Sequence, residues 1–304
     1  MKFGYYPGCS LSGTAKEFDL SLKEVLKVLN INLEEINDWS CCGASSAHIS
    51  SNLLAVALPA RNILLAKKQG LNKVVAPCAA CYNRLLTSQH ELKLDEKIRI
   101  KTEELLEEKY SDGIEICNLI QLFEKIGTDN IKALIKNDLS GLKAACYYGC
   151  LLLRPADITG FDDNEDPSTM EKIINAAGAK TAEWNFKTEC CGASHSFPHV
   201  EIVEKLSKNI LDNAILHNAD VIVTACPMCH ANLDMRQKNI MKHNPGQKKI
   251  PVLYLTQLLG IAFAIDFNKL GLNRHTIDPA PILREKIKRI EPKTEPSVKK
   301  EAVV

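Results

Sequence analysis

The residue that stands out for chemistry in this chain is cysteine. There are twelve in 304 residues, and they are not scattered. Cys9 is followed after 31 residues by the adjacent pair Cys41-Cys42, and after 35 more by Cys78-x-x-Cys81. Cys150 is followed after 39 residues by Cys190-Cys191, and after 34 more by Cys226-x-x-Cys229. Ten of the twelve thus form two sets of five in the same internal order. The thiolate is both a nucleophile and a soft metal ligand. No secretory leader is read at Met1–Cys9. In a long chain of this type such a density predicts metal ligation or redox chemistry rather than a disulfide framework.

A C-x-x-C brings two thiols to one metal, and a helix starting there favours thiolate over thiol. Alone it fits zinc, a redox disulfide or an iron–sulfur cluster. The adjacent pairs say more. Neighbouring residues of an extended chain point in opposite directions, so they do not readily form two corners of one small tetrahedral site. They can ligate two irons of a cluster that wraps round the turn, and Gly43 and Gly192 then let the backbone approach it. Five thiols per set also exceed the four that zinc or an ordinary cubane uses. Either one cysteine per set is idle or the cofactor is unusual. Zinc at one set stays open. Cys117 faces Leu253 in the internal alignment and reads as core, and Cys146 aligns with Tyr5.

Other side chains near the cysteines are candidates. His48 and His195 each lie just past a Cys-Cys-Gly turn and are candidate proton donors. Arg61 and Lys208 hold equivalent helix positions and are candidates for binding an anionic group on a substrate. His230 follows Cys229 directly and reads as a hydrogen-bond donor beside the site.

The repeat extends beyond the cysteines and locates the elements that must position them. Tyr5-Tyr6-Pro7-Gly8-Cys9 echoes Tyr147-Tyr148-Gly149-Cys150, and Arg61-Asn62-Ile63-Leu64 echoes Lys208-Asn209-Ile210-Leu211. A third echo joins Ile116–Phe123 to Val252–Leu259. Strands are expected at Lys2–Tyr6, Ile31–Ile36, Lys73–Ala76, Ala144–Tyr148, Lys180–Trp184 and Val221–Thr224. Helices are expected at Ala15–Leu29, Leu53–Gln69, Ala79–His90, Met170–Ala177, Val200–His217 and His230–Lys242. Pro59 falls inside the second of these helices. The fold class expected is α/β: two homologous Rossmann-like halves, each a small mainly parallel sheet flanked by helices, related by a pseudo-twofold axis. Cysteines then sit on loops after strand ends, where open α/β sheets place ligands. The expected organisation is a first domain over 1–140 with linker helices, a second over 141–270, and a polar tail over 271–304 that is disordered or docks on a partner. Leu92–Gly127 reads as the connection between halves, and Arg154–Thr169, with Asp162, Asp163, Glu165 and Asp166, as an exposed loop.

Several function classes are disfavoured. With 38 basic and 37 acidic side chains the net charge is +1, which gives no field for nucleic acid. No apolar run is long enough for a membrane span, so a cytoplasmic location is expected. No G-x-G-x-x-G follows the first strand and no phosphate-binding G-x-x-x-x-G-K-[ST] occurs, so nucleotide and flavin binding have no support. Electrons must come from another protein.

The twice-repeated five-cysteine set with its CCG turns resembles the B subunit of heterodisulfide reductase over residues 1–265. The wording YYPGCSLSGTAKE and CCGASSAH is closer to the bacterial heterodisulfide-reductase-like proteins. The resemblance implies two noncubane [4Fe–4S] clusters. One would be held by Cys9, Cys41, Cys42, Cys78 and Cys81, the other by Cys150, Cys190, Cys191, Cys226 and Cys229. It further implies cleavage of the coenzyme M–coenzyme B heterodisulfide, or a related disulfide, between the clusters. A small ferredoxin-like subunit, fed by a flavin-containing subunit, would supply the electrons. Two other functions compete with this one: an electron-transfer subunit of a lactate, glycolate or glycerol-phosphate dehydrogenase type of complex, and a zinc-organised binding module.

Overall fold

The computed structural model describes residues 2–44, 47–196 and 198–290. Short apolar runs bounded by turns make central strands that are buried on both faces, as a parallel sheet requires, while the edge strands Asn32–Glu35 and Lys180–Thr181 stay partly exposed. β1 (Lys2–Tyr5), β2 (Asn32–Glu35), β3 (Lys73–Val75) and β4 (Glu115–Cys117) form a parallel sheet of order β2-β1-β3-β4. β5 (Asn137–Asp138) stands outside it. β6 (Lys143–Tyr147), β7 (Lys180–Thr181), β8 (Val221–Thr224) and β9 (Val252–Tyr254) repeat the same arrangement as β7-β6-β8-β9. The last strand, β10 (Lys288–Arg289), pairs antiparallel with β5.

The helices between the strands cover both sheets. The ones that matter for the site are α1 (Lys16–Val28), α2 (Asn52–Lys68), α3 (Ala79–Leu94), α4 (Leu119–Ile126), α5 (Thr169–Ala176), α6 (Val200–Leu216), α7 (Pro227–Met235) and α8 (Leu255–Ala262). α1 carries Phe18, Leu22, Val25 and Leu26 on its buried face, the spacing of one helical stripe. That stripe packs on α8 of the other half, and in the same way α5 packs on α4. Each half therefore seats its first long helix against the helix that follows the fourth strand of its twin. At the first contact the rings of Phe18 and Tyr254 stack with centroids 4.2 Å apart, and Ser21 and Thr256 share a buried hydrogen bond of 2.7 Å. One hydrophobic cluster runs through both halves without a break.

The structure corrects several expectations. The segment 92–127 is more than a connection, because Glu115–Cys117 is a strand of the first sheet. The third echo marks that strand and its twin β9. Gln121 and Gln257 each accept the backbone N–H three residues earlier, at 3.0 and 2.9 Å, and so cap α4 and α8 alike. The helix expected over His230–Lys242 starts at Pro227 and is broken at Arg236. Past that break, the buried Gln237 side chain bonds to both backbone groups of Ile250. The strand expected over Lys180–Trp184 ends at Thr181. Helix α2 continues through Pro59. The Arg154–Thr169 stretch buries Thr159 and Phe161, and its Asp162 carboxylate caps the backbone N–H groups of Ser168 and Thr169. The expected polar tail is ordered over its described part, 271–290. There Leu272, Ile277 and Leu283 are buried, and α9 (Ala280–Lys286) leads into β10. Its charge and proline content masked three apolar anchors. Residues 291–304 lie outside the described residues.

The Phe18–Tyr254 stack joins the halves, so Phe18→Ala is expected to cost about 3–5 kcal/mol in chemical denaturation. It should unfold both halves in one transition, whereas two separate transitions would show that the halves are stable alone.

Candidate redox and metal centre

Each set is assembled from three loops at the ends of parallel strands. After β1, Gly8 opens a short helix, Gly8–Ser12, that carries Cys9; after β6, Gly149 precedes Cys150. After β3, Cys78 is the N-cap of α3 and Cys81 lies in its first turn; after β8, Cys226 and Cys229 do the same on α7. The partial positive charge at these helix starts favours thiolate. The adjacent pairs arrive on the loops before α2 and α6, where Gly43 and Gly192 adopt φ of +74° and +80°.

The structure brings the ten thiols into one array. Cys9 and Cys41 Sγ lie 3.9 Å apart, Cys42 and Cys81 3.5 Å, and Cys191 and Cys229 3.7 Å. Cys81 and Cys78, Cys226 and Cys229, and Cys150 and Cys190 are close enough to influence each other's ionisation. The two sets face each other across the halves at Cys78 and Cys226, which are both buried and influence each other's ionisation. The centre of the array is buried, while Cys9, Cys41 and Cys190 are exposed and Cys150 is half-buried.

The environment sorts the thiols into donors and acceptors. Hydrogen bonds from Cys41, then from Cys81, pull Cys42 down to about 3, with the Ala44 N–H and the charge of Arg84 adding to this. The bond from Cys150 brings Cys190 down to about 6, helped by the Gly192 and Ala193 N–H groups and by the charge of His195. Cys226, accepting from Cys229 and Cys78, is held well below the usual thiol range. Their donors move up: Cys229 is raised by its bond to Cys191, and Cys78 by its bond to Cys226.

The fit to a metal group can be tested on the glycines. A Cβ on Gly8, at φ +64°, would lie 2.8 Å from Cys81 Sγ, and one on Gly149, at φ +68°, would lie 3.0 Å from Cys229 Sγ. The backbone is thus kept bare where it faces sulfur. Among the described residues no three His, Cys, Asp or Glu side chains converge on a point that suits a single ion. Five soft donors strung along each half suit a multinuclear, sulfide-bridged group better than one zinc.

The other candidates are placed as follows. His48 is exposed on the helix Ala47–Ser50, and His195 is exposed on the turn Ala193–His195 beside Cys190. Arg61 is not drawn to the thiols: it holds the Asp38 carboxylate and carbonyl. Lys208 pairs with Asp212 one turn along α6. Cys117 and Cys146 are buried within the sheets, Cys117 pushed up to about 11 by burial. His230 is buried, stacked on Tyr254 at 4.2 Å and bonded to the Val252 carbonyl.

Positioning residues that the motifs alone do not single out complete the site. Tyr6 Oη donates to the Ser40 carbonyl and Tyr147 Oη to the Glu189 carbonyl, both at 2.6 Å. Each pins the residue just before a cysteine pair. Asn62 clamps both backbone groups of Ser40, accepting from its N–H at 2.8 Å and donating to its carbonyl at 3.0 Å. All three lie in the echoed segments, which carried the signal without the role.

The molecule is thus a duplicated parallel α/β protein that offers two neighbouring five-thiol sites. The cysteine-rich (CCG) domain matches residues 3–86 and 144–234, and the chain belongs to that family, carrying the domain twice. It is 34% identical over 280 residues to the 8-methylmenaquinol:fumarate reductase membrane anchor subunit of Wolinella succinogenes, covering 91% of this chain and 97% of that protein. It is 29% identical to the B subunit of the ferredoxin:CoB-CoM heterodisulfide reductase of Methanosarcina mazei, covering 91% and 94%. The likeness to heterodisulfide reductase read from the motifs therefore holds over nearly the whole chain. A Helicobacter pylori hypothetical protein of known crystal structure superposes with a TM-score of 0.71 at 14% identity, over 90% of this chain and 51% of that one, which shows a shared fold. No helix among the described residues is long and apolar enough to cross a membrane.

Two measurements follow. Gly8→Ala and Gly70→Ala both place a side chain at φ near +70°, but a Cβ on Gly70 meets nothing within 4 Å. Each should lose about 1–2 kcal/mol in denaturation, and Gly8→Ala should lose clearly more; equal losses would remove the sulfur contact from the account. In metal-free reduced protein at neutral pH, Cys190, brought down to about 6, is thiolate, whereas its partner Cys150 is raised and protonated. Brief alkylation read by peptide mass spectrometry should label Cys190 before Cys150, with the preference fading as the pH falls below 6.

Proposed function

We propose that this chain is the iron–sulfur subunit of a multisubunit reductase and that it passes electrons between partner proteins. Each five-cysteine set would hold one noncubane [4Fe–4S] cluster: Cys9, Cys41, Cys42, Cys78 and Cys81 one, Cys150, Cys190, Cys191, Cys226 and Cys229 the other. When bound, such clusters supply one-electron transfer at potentials set by local charge and hydrogen bonds. The chain's own residues do the rest. Helix starts and the Gly43 and Gly192 N–H groups, 3.4 and 3.3 Å from Cys41 and Cys190 Sγ, stabilise negative sulfur. Tyr6 and Tyr147 hold the loops, and Tyr147 and Tyr254 help to keep water from the centre.

The observation that carries this reading is the buried juxtaposition of Cys78 with Cys226. It makes the two sites neighbours, and tunnelling falls steeply with distance. Exposed thiols at both ends, Cys9 and Cys41 on one side and Cys190 on the other, leave each site open to a partner. Likeness to a methylmenaquinol:fumarate reductase subunit along nearly its full length supports a complex that links a quinol pool to reduction of an acceptor such as fumarate.

A second reading has a specific observation in its favour. The solvent-facing Cys9 and Cys41 would allow a small disulfide to reach the first set, and relatives named as heterodisulfide reductase B subunits share the duplicated cysteine-rich chain. The chain would then be the catalytic, sulfur-reducing subunit, with a ferredoxin-like subunit and a flavin-containing subunit as partners. Two electrons and two protons would convert R–S–S–R′ to two thiols, with His48 and His195 as proton donors. The burial of Cys78 and Cys226 favours the relay, because a disulfide held between the two sets needs an opening there.

Anaerobically purified complex should contain about eight irons per chain of this subunit. After reduction it should be reoxidised by a menaquinone analogue or by fumarate with no thiol released from the coenzyme M–coenzyme B heterodisulfide. Thiol release matching the electrons lost would install the second reading, and zinc in place of iron would end both.

A further inference from the structure

The internal repeat aligns α3 with α7, and the helix position three residues after each C-x-x-C differs in charge: Arg84 in the first half, Asn232 in the second. Residues three apart share one face of a helix, so both positions overlook their own set. In the second half the contact is direct. Asn232 Nδ2 lies 3.5 Å from Cys191 Sγ and 3.2 Å from the Cys191 carbonyl, and its Oδ1 is within 3.1 Å of Ser196 Oγ. In the first half Arg84 holds that same position on the helix, three residues past Cys81, and Cys42 is the counterpart of Cys191. Arg84 is half-buried, and among the described residues no carboxylate pairs with it. One site therefore has a partly desolvated, uncompensated cation where its twin has a neutral amide. The second half's cations stand elsewhere: His195 is exposed on the turn after Cys190, and Arg236, one turn past Asn232, donates to the Ser196 carbonyl.

We infer that this one substitution between repeats makes the two sets unequal electron acceptors, the Arg84 set holding an electron more tightly than the Asn232 set. The inference rests on the clusters proposed above. Adding an electron makes a thiolate-held site more negative, and a fixed cation in a low-dielectric surrounding stabilises that state. An electron on the second set would move to the first: the second is oxidised and the first reduced by one electron, with no bond made or broken. The chain then has a direction, from the partner at Cys150 and Cys190 to the partner at Cys9 and Cys41.

Potentiometric titration of the full-length iron-loaded chain, followed by paramagnetic resonance at about pH 8.5 where ordinary imidazoles are neutral, tests this. A Cys190→Ser chain identifies the signal of the first set. The unaltered protein should show two separated steps, the first-set signal at the higher potential. Arg84→Gln should lower that step toward the other and leave the second-set step in place, while Arg84→Lys should keep the separation. Arg84→Met provides the same test if the glutamine variant does not fold. Unchanged midpoints at full iron content in the neutral variants would overturn the inference, as would a first-set step below the second. An unaltered protein that binds no iron would instead bring down the cluster reading beneath it.

Discussion

The structure depends on gathering ten thiols, most of them buried, into one continuous array. Thiolates repel one another and lose hydration when buried, so a fold that collects them must supply positive potential and donors from its own backbone. Parallel sheets do this at one edge. Strand ends deliver the chain to loops, and the helices that follow start with their N–H groups facing the same space. Cys78 and Cys226 sit at two such helix starts and face each other across the halves. The exchange of helices between halves, α1 onto α8 and α5 onto α4, holds that arrangement in place.

Duplication then explains much of the detail. Gly8 and Gly149 face Cys81 and Cys229, Tyr6 and Tyr147 pin equivalent carbonyls, and Gln121 and Gln257 cap equivalent helices. These pairs mark what each site needs. The exceptions mark what each half does differently. Tyr82 of the first half bonds to the Thr159 carbonyl, whereas its counterpart His230 stacks on Tyr254 and meets His275 from the C-terminal segment. Arg84 and Asn232 differ in charge, not only in shape.

Much of this is legible in the sequence because the cysteine spacing stays in step between the halves where other residues drift. The two sets, their order, the α/β alternation and the placement of cysteines after strand ends can all be read from it. The elements that escape are those without a periodic signal. β4 and β9 are three residues each, too short for alternation to show, although the echo around them is plain. The C-terminal segment looks polar because Leu272, Ile277 and Leu283 are spaced among prolines and charges, and only the packed structure shows that they are anchors. Arg61 draws attention by its position in an echo, yet its neighbour Asn62 holds the cysteine loop while Arg61 turns to Asp38. Helical phase separates adjacent residues by about 100°, and a motif match does not report which of two neighbours faces inward.

The central claim is that two multinuclear iron centres lie side by side, with Cys78 and Cys226 facing each other between them. Anomalous X-ray diffraction at the iron edge, on anaerobically grown crystals of the loaded protein, reads this directly. The account predicts two compact iron peaks, one on each side of the Cys78–Cys226 pair. A single peak, two peaks remote from that pair, or a signal only at the zinc edge would contradict it.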